Sequence, residues 1–432
     1  MVDAHQTFVI VGAGLAGAKA AEALRSEGFT GRVILIGDER DHPYERPPLS
    51  KGYLTGKEER ESVFVHEPSW YAASDIELHL GQPAVHLDRD AKRVVLGDGT
   101  ALHYDKLLLA TGAEPRRLDI PGTGLAGVHH LRRLAHAERL RHVLAGLGRD
   151  NGHLLIAGAG WIGLEVAAAA RGYGAEVTVV EPEATALHAV LGPEIGRLFG
   201  DLHADHGVRF HFGARLTEIV GQDGMVLAAR TDDGEEHPAH AVLAAIGAAP
   251  RTALAETSGL ALVDREHGGG IAVDESLCTS DPDVYAVGDV AAAHHPVLGT
   301  RLRVEHWANA LNGGPAAARA MLGRPVVYDR VPYFFSDQYD VGLEYSGYAP
   351  PGGYDQVLIR GDAAKREFIA FWLSEGRVLA GMNVNVWDVT EHIQALISRR
   401  RPWTGRHWRT RRFRSPRWSP RRVPDGFAPA RP

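Results

Sequence analysis

Two stretches of this chain carry the same glycine pattern, "IVGAGLAG" at residues 10–17 and "IAGAGWIG" at 156–163. Few patterns restrict a backbone more. In G-x-G-x-x-G the first glycine permits a tight turn out of a strand, the second lets the main chain approach a pyrophosphate, and the third packs a helix onto the strand. The free N–H groups and dipole at the helix start then favour an anion. Both copies stand in full context. "TFVIVGAGLAGAKAAEALRSEGF" is followed by the strand "GRVILIGDER", which ends in Asp38 and Glu39, and "HLLIAGAGWIGLEVAAAARGYGAEVTVVEP" closes on Glu181. An acid about 20 residues past the glycines completes the dinucleotide-binding signature. The pattern therefore predicts an α/β chain with two such units, one built on Gly12, Gly14 and Gly17 and the other on Gly158, Gly160 and Gly163.

The acid also bears on specificity. A carboxylate at the end of the second strand accepts hydrogen bonds from ribose hydroxyls and repels a 2′-phosphate. Glu181 is followed by "PEATALHAV", which offers no Arg or Lys to such a phosphate. The second unit is expected to prefer NADH to NADPH.

With 432 residues the chain has length for about two or three domains, and its 44% apolar and 23% charged residues are those of a globular protein. No apolar run reaches the ~18–20 residues of a membrane span, so a soluble, cytoplasmic protein is expected. Cys278 is the only cysteine. A disulfide within the chain, a Cys-x-x-Cys redox pair and a cysteine-ligated cluster or zinc site are all excluded, so if the protein moves electrons, a bound organic cofactor must carry them. The net charge of −7 conceals an asymmetry: residues 399–432 hold 12 Arg and one acid, leaving −18 on the rest. An acidic body argues against nucleic acid as partner. No histidine spacing indicates a metal site.

Between the two units, "KLLLATGAEPR" (106–116) reads as a buried strand broken at Thr-Gly and Pro115, and "DVYAVGDVA" (283–291) as a strand ending in Gly288-Asp289. From Val326 to Ser398, strand-like runs such as "FIAFWLSEGRVLAGMNV" and a closing helix, "WDVTEHIQALI", predict a smaller α+β domain. Residues 399–432, rich in Arg and Pro and without periodicity, are expected to be disordered, either a product of reading-frame drift or a basic arm.

Taken in order, the first fingerprint, "YERPPLSKGYL", "LLLATGAEPR", the second fingerprint with "WIGLEVA", "VYAVGDVA", "RVEHWANAL" and "PYFFSDQY" resemble the flavin-dependent ferredoxin reductases over residues 5 to about 397. The resemblance implies a glutathione-reductase-type fold: an FAD domain of two segments (1–115 and 248–325), an inserted NAD domain (116–247) and a C-terminal α+β domain (326–398). It assigns to FAD the residues Gly12, Gly14, Ala16, Gly17, Asp38, Glu39, Arg46, Lys51, Val85, Ala110, Thr111, Gly112, Arg132, Gly288, Asp289 and Trp307. To NAD it assigns Gly158, Gly160, Ile162, Gly163, Glu165, Glu181 and Gly247. Lys51 is the most telling position, because related disulfide reductases and peroxidases place cysteines on the flavin in this region of the chain. Thiol chemistry is thus excluded, and Lys51 is implied to lie beside flavin N5, where a cation opposes the charge of the reduced ring. Glu165 has a modest local explanation as an acid in the first turn of a helix; the resemblance pairs it instead with Lys51. Trp307 and Phe335 are implied to shield the ring, and His306 is given no role. The implied activity passes electrons from NADH through FAD to a 2Fe-2S ferredoxin serving a haem-thiolate monooxygenase or a ring-hydroxylating dioxygenase, from a monomer or weak homodimer. Rubredoxin is a less favoured acceptor. The alternatives are an NADH oxidase, the flavin component of a nitrite reductase, and a redox interaction protein related to apoptosis-inducing factor.

Overall fold

The computed structural model describes residues 5–350 and 352–399. The expectations for the Arg-rich tail fall almost wholly outside the described residues. Each glycine fingerprint opens a parallel sheet. In the first, the strands run in the order Val284–Ala286, Lys106–Leu109, Thr7–Val11, Arg32–Gly37, Ile76–Leu80, all parallel. The second repeats the plan with Val208–Phe212, Glu176–Glu181, His153–Ala157, Ala241–Ala244 and Val128–His129, again parallel. The central strands of both sheets are almost continuously apolar and buried, as a sheet covered on both faces requires, whereas the edge strands Ile76–Leu80, Val208–Phe212 and Val128–His129 are only partly so. In both, the fingerprint strand sits where the strand order reverses, so the crevice for a ligand opens at its carboxyl end.

The chain passes between the two units at Ala113–Pro115 and Ala248–Pro250, which pair antiparallel. Helix Leu15–Ser26 lies against helix Trp307–Met321 so closely that a Cβ on Gly314 would stand 2.4 Å from the Ala16 carbonyl. That packing brings Trp307 back to the first unit from nearly 300 positions away. The region from Tyr333 is an antiparallel sheet in the order Tyr333–Gln338, Val341–Gly347, Arg377–Val384, Glu367–Ser374, Gln356–Asp362, with helix Thr390–Ser398 on one face. Parallel α/β units and a C-terminal α+β domain are the expected classes. One strand is shorter than expected: 283–291 contains only Val284–Ala286, because Gly288 turns at φ +76° into a 3-10 turn, Gly288–Val290, before a new strand starts at Ala291.

Candidate active site

The two fingerprints show what each glycine does. Gly12 has φ +123°, and a Cβ there would stand 2.1 Å from the Ala110 carbonyl oxygen. Gly158 has φ +101°, with the Ala245 carbonyl at 2.6 Å from its would-be Cβ. A Cβ on Gly17 would meet the Gly12 carbonyl at 2.0 Å, and one on Gly163 the Gly158 carbonyl at 2.2 Å. These four positions are closed to any side chain by backbone atoms. Gly14 and Gly160 differ, since nothing lies within 4 Å of a Cβ on either. Each begins its helix, and no side chain caps the helix start. Two uncapped helix N-termini thus face open space over a bare glycine, the arrangement that fits a pyrophosphate.

The acids after the fingerprints have separate fates. Glu181 folds back on its own turn, accepting from the Ala159 N–H at 2.6 Å and the Glu183 N–H at 3.0 Å. Asp38 is taken by two guanidiniums, Arg133 at 2.7 Å and Arg251 at 3.0 Å. Burial opposes ionisation of Asp38, but the two cations outweigh it and hold the carboxyl below the usual range. Glu39 accepts from Tyr44 Oη at 2.7 Å and stands 3.5 Å from Arg46. Both cations on Asp38 bind Oδ2, while Glu39 uses one oxygen for Tyr44 and the other for Arg46, so either acid keeps acceptor capacity for a ribose.

Around the first crevice, Arg132 pairs with Asp289 at 2.5 Å and donates to the Ala113 carbonyl, while Arg46 donates to the Arg132 carbonyl. Thr111 Oγ1 donates to the Arg251 carbonyl, and Gly112 takes φ +70°. Trp307 Nε1 donates to Glu45 Oε2 at 3.2 Å, and its ring meets Phe335 edge to face at 6.1 Å. Ala16 and Ala110 are buried, Gly247 has φ +92°, and Ile162 is exposed at the helix start. Val85 stands apart on strand Ala84–Asp88 of a separate three-stranded sheet, with 56% of its surface exposed. His306, given no role from the sequence, holds a solvent-shielded Nδ1 with no partner among the described residues, and burial pushes its pKa down to about 4. An orphaned ring nitrogen beside Trp307 is what a polar ligand in this crevice would satisfy.

Lys51 and Glu165 meet. Lys51 Nζ lies 2.5 Å from Glu165 Oε1, and Glu165 is 5% exposed. Glu165 is the fifth residue of helix Trp161–Tyr173, so it lies past the first turn and the local dipole explanation does not apply. Its carboxylate collects two further donors that sequence reasoning did not single out, Ser50 Oγ on Oε2 at 2.5 Å and Ser336 Oγ on Oε1 at 2.6 Å. Lys51 Nζ also stands 5.5 Å over the Phe335 ring. Both serines lie in stretches already marked as telling, "YERPPLSKGYL" and "PYFFSDQY", but nothing local distinguishes them from turn and strand serines. One carboxylate of the second unit is thereby fastened to the first unit and to the C-terminal domain.

Comparison with known proteins accords with this geometry. Residues 6–314 match the pyridine nucleotide-disulphide oxidoreductase family, and residues 333–409 match the reductase C-terminal family. The chain belongs to the pyridine nucleotide-disulphide oxidoreductases. It is 40% identical to rhodocoxin reductase of Rhodococcus erythropolis, over 88% of this chain and 86% of that one. Putidaredoxin reductase of Pseudomonas putida is 37% identical over 89% and 90%. Among solved structures, the covalent putidaredoxin reductase–putidaredoxin complex superposes with a TM-score of 0.86 at 36% identity, covering 93% of this chain and 94% of that one. Members of this family bind FAD and NAD(H), and the two open glycine turns fit one dinucleotide each. Among the described residues no helix is long and apolar enough to cross a membrane.

Proposed function

We propose that this protein is an FAD-dependent reductase that takes a hydride from NADH and passes the electrons one at a time to a 2Fe-2S ferredoxin. The ferredoxin in turn supplies a haem-thiolate monooxygenase or a ring-hydroxylating dioxygenase. The observation that carries this reading is the Lys51–Glu165 pair, which closes the gap between two complete dinucleotide turns in a chain whose single cysteine, Cys278, removes thiol chemistry.

When bound, FAD supplies the one chemistry the side chains lack, accepting two electrons together and releasing them singly. The chain's own residues bind, orient and exclude water. Gly12, Gly14 and Gly17 with the start of helix Leu15–Ser26 would hold the FAD pyrophosphate, Asp38 or Glu39 its adenosine ribose, and Arg46, Arg132 and Asp289 the segment between. Gly158, Gly160 and Gly163 would hold the NADH pyrophosphate. Glu181, already turned into that crevice, would take the ribose hydroxyls and repel a 2′-phosphate. Lys51 is a cation with 15% side-chain exposure, fixed where the three domains meet, and a preorganised charge in such a site acts far more strongly than in water. Trp307 and Phe335 close the site to solvent. The relatives named as reductases of putidaredoxin and rhodocoxin, and the complex of one with its ferredoxin, support an iron–sulfur acceptor. The same reading places the protein in the cytoplasm.

The test is NADH oxidation by the purified holoprotein with a panel of ferredoxins and cytochrome c reduction as readout. Turnover that rises with ferredoxin and saturates is expected. Slow oxidation indifferent to every ferredoxin would instead indicate an oxidase or an interaction protein.

A further inference from the structure

Behind Glu165 the structure holds a file of buried polar groups that the proposed function does not use. Strand Tyr333–Gln338 alternates, so Ser336 and Gln338 face inward and are each 1% exposed while Asp337 faces out. Gln338 Nε2 lies 3.1 Å from Ser336 Oγ, and Gln338 Oε1 lies 2.8 Å from His203 Nε2. His203, fully buried in helix His188–Asp205 of the second unit, meets Tyr339 Oη through Nδ1 at 3.2 Å. Its imidazole is neutral, because burial pushes its pKa down to about 4.

The donor inventory fixes the direction of each bond. An amide oxygen only accepts, so His203 Nε2 carries the hydrogen, and Nδ1 accepts from Tyr339. The Gln338 amide must then present its NH2 group to Ser336. Ser336, accepting there, has its single hydrogen free for Glu165 Oε1. Every bond points the same way: Tyr339 to His203, His203 to Gln338, Gln338 to Ser336, Ser336 to Glu165. The far end is pinned as well. Tyr339 has φ +57°, a conformation a bulky residue rarely holds unless its surroundings impose it, and its ring stacks on His206 at 3.7 Å and 10°.

We infer that Ser336, Gln338 and His203 are positioning residues for Glu165, a one-way file of hydrogen bonds that sets how firmly this carboxylate grips Lys51. Ser336 and Lys51 share the same oxygen, Oε1. Removing the Ser336 hydrogen leaves Lys51 as the sole donor to that oxygen, draws the ammonium onto Glu165, and withdraws its charge from the flavin. The file also crosses from the C-terminal domain into the second unit and back, so the grip depends on how these two domains sit. The inference rests on the proposed reductase reading.

The experiment uses the holoprotein and reads the flavin midpoint potential by anaerobic dye equilibration, together with stopped-flow flavin reduction by NADH. Ser336→Ala is expected to lower the potential by about 30 mV, a tenfold change in a two-electron equilibrium. It should slow flavin reduction about tenfold with half-saturating NADH within about twofold. Gln338→Met should act in the same direction by about threefold, and Tyr339→Phe by less than about twofold, because each leaves more of the file intact. Gln338→Glu, of the same shape, reverses its end of the bond and should reproduce the Ser336→Ala shift even if that variant fails to retain FAD. In a Glu165→Gln background all these effects should vanish. An unchanged potential in Ser336→Ala with FAD retained, or a full shift persisting in the Glu165→Gln background, overturns the inference. Failure of the reductase reading looks different: the wild-type flavin would be reduced by NADH, or not, without any ferredoxin-dependent turnover.

Discussion

The two glycine units of this protein agree in their backbones and part company at their acids. Gly12 and Gly158 both turn at φ above +100°, Gly17 and Gly163 both pack against the first glycine's carbonyl, and Gly14 and Gly160 both face open space. Yet Glu181 accepts from its own turn, whereas Asp38 is bound by Arg133 and Arg251, side chains that the chain brings in just after crossing to the second unit and just after returning. A motif written in backbone sterics transfers between contexts. One written in a carboxylate does not, because a charge is claimed by whichever cation the fold delivers.

The sharpest way to break the likeness is at a first glycine. Gly12→Ala forces a left-handed residue against a carbonyl and is expected to cost about 2–5 kcal/mol, measured as protein that purifies without FAD and melts lower. The two units should next separate by pH. His153 and His203 belong to the second unit, are buried, and have their pKa values pushed down to about 4, by burial in both and by Arg209 as well at His153. Their folded pKa lies below the unfolded value, so the stability they leave intact at neutral pH is lost as pH falls from about 6.5 towards 4, by up to about 1.4 kcal/mol per unit for each. Hydrogen exchange at pH 5 should therefore show residues 153–244, which hold two such histidines, losing more protection than the first unit, where His306 alone is pushed down as far. Equal opening of both sheets would remove this distinction. Third, Glu181→Ala deletes the acceptor for two N–H groups and, in the proposed reading, for the ribose, and should raise half-saturating NADH about 10- to 100-fold with FAD content unchanged. Asp38→Asn is the smallest change. Its ion pairs are partly exposed, so the expected loss is about 1 kcal/mol, read as a modestly lower Tm with FAD content and NADH affinity intact; loss of FAD would instead give Asp38 in the first unit the ribose role proposed for Glu181 in the second.

How much of this was legible follows from the same contrast. The glycines, the paired sheets and the C-terminal domain could be read because they depend on sterics and periodicity within about 30 residues. Lys51 and Glu165 came from resemblance, since their contact spans 114 positions and no spacing rule reaches that far. Ser50 and Ser336 were missed for a similar reason: their bonds to Glu165 span 115 and 171 positions. The cations that Asp38 meets were equally out of reach of local reading, 95 and 213 positions away. Glu165 looked like a first-turn acid because it follows the last glycine of the motif by two residues, whereas the helix already begins at Trp161, ahead of that glycine.

The central claim is that the same turn serves two nucleotides, FAD in the first unit and NADH in the second. Its most direct measurement is an anaerobic NADH titration of Gly158→Ala holoprotein, following flavin absorbance. The account predicts that FAD stays bound at one per chain while the NADH needed to bleach it rises at least about tenfold. Loss of FAD, or bleaching at the wild-type NADH concentration, would contradict it.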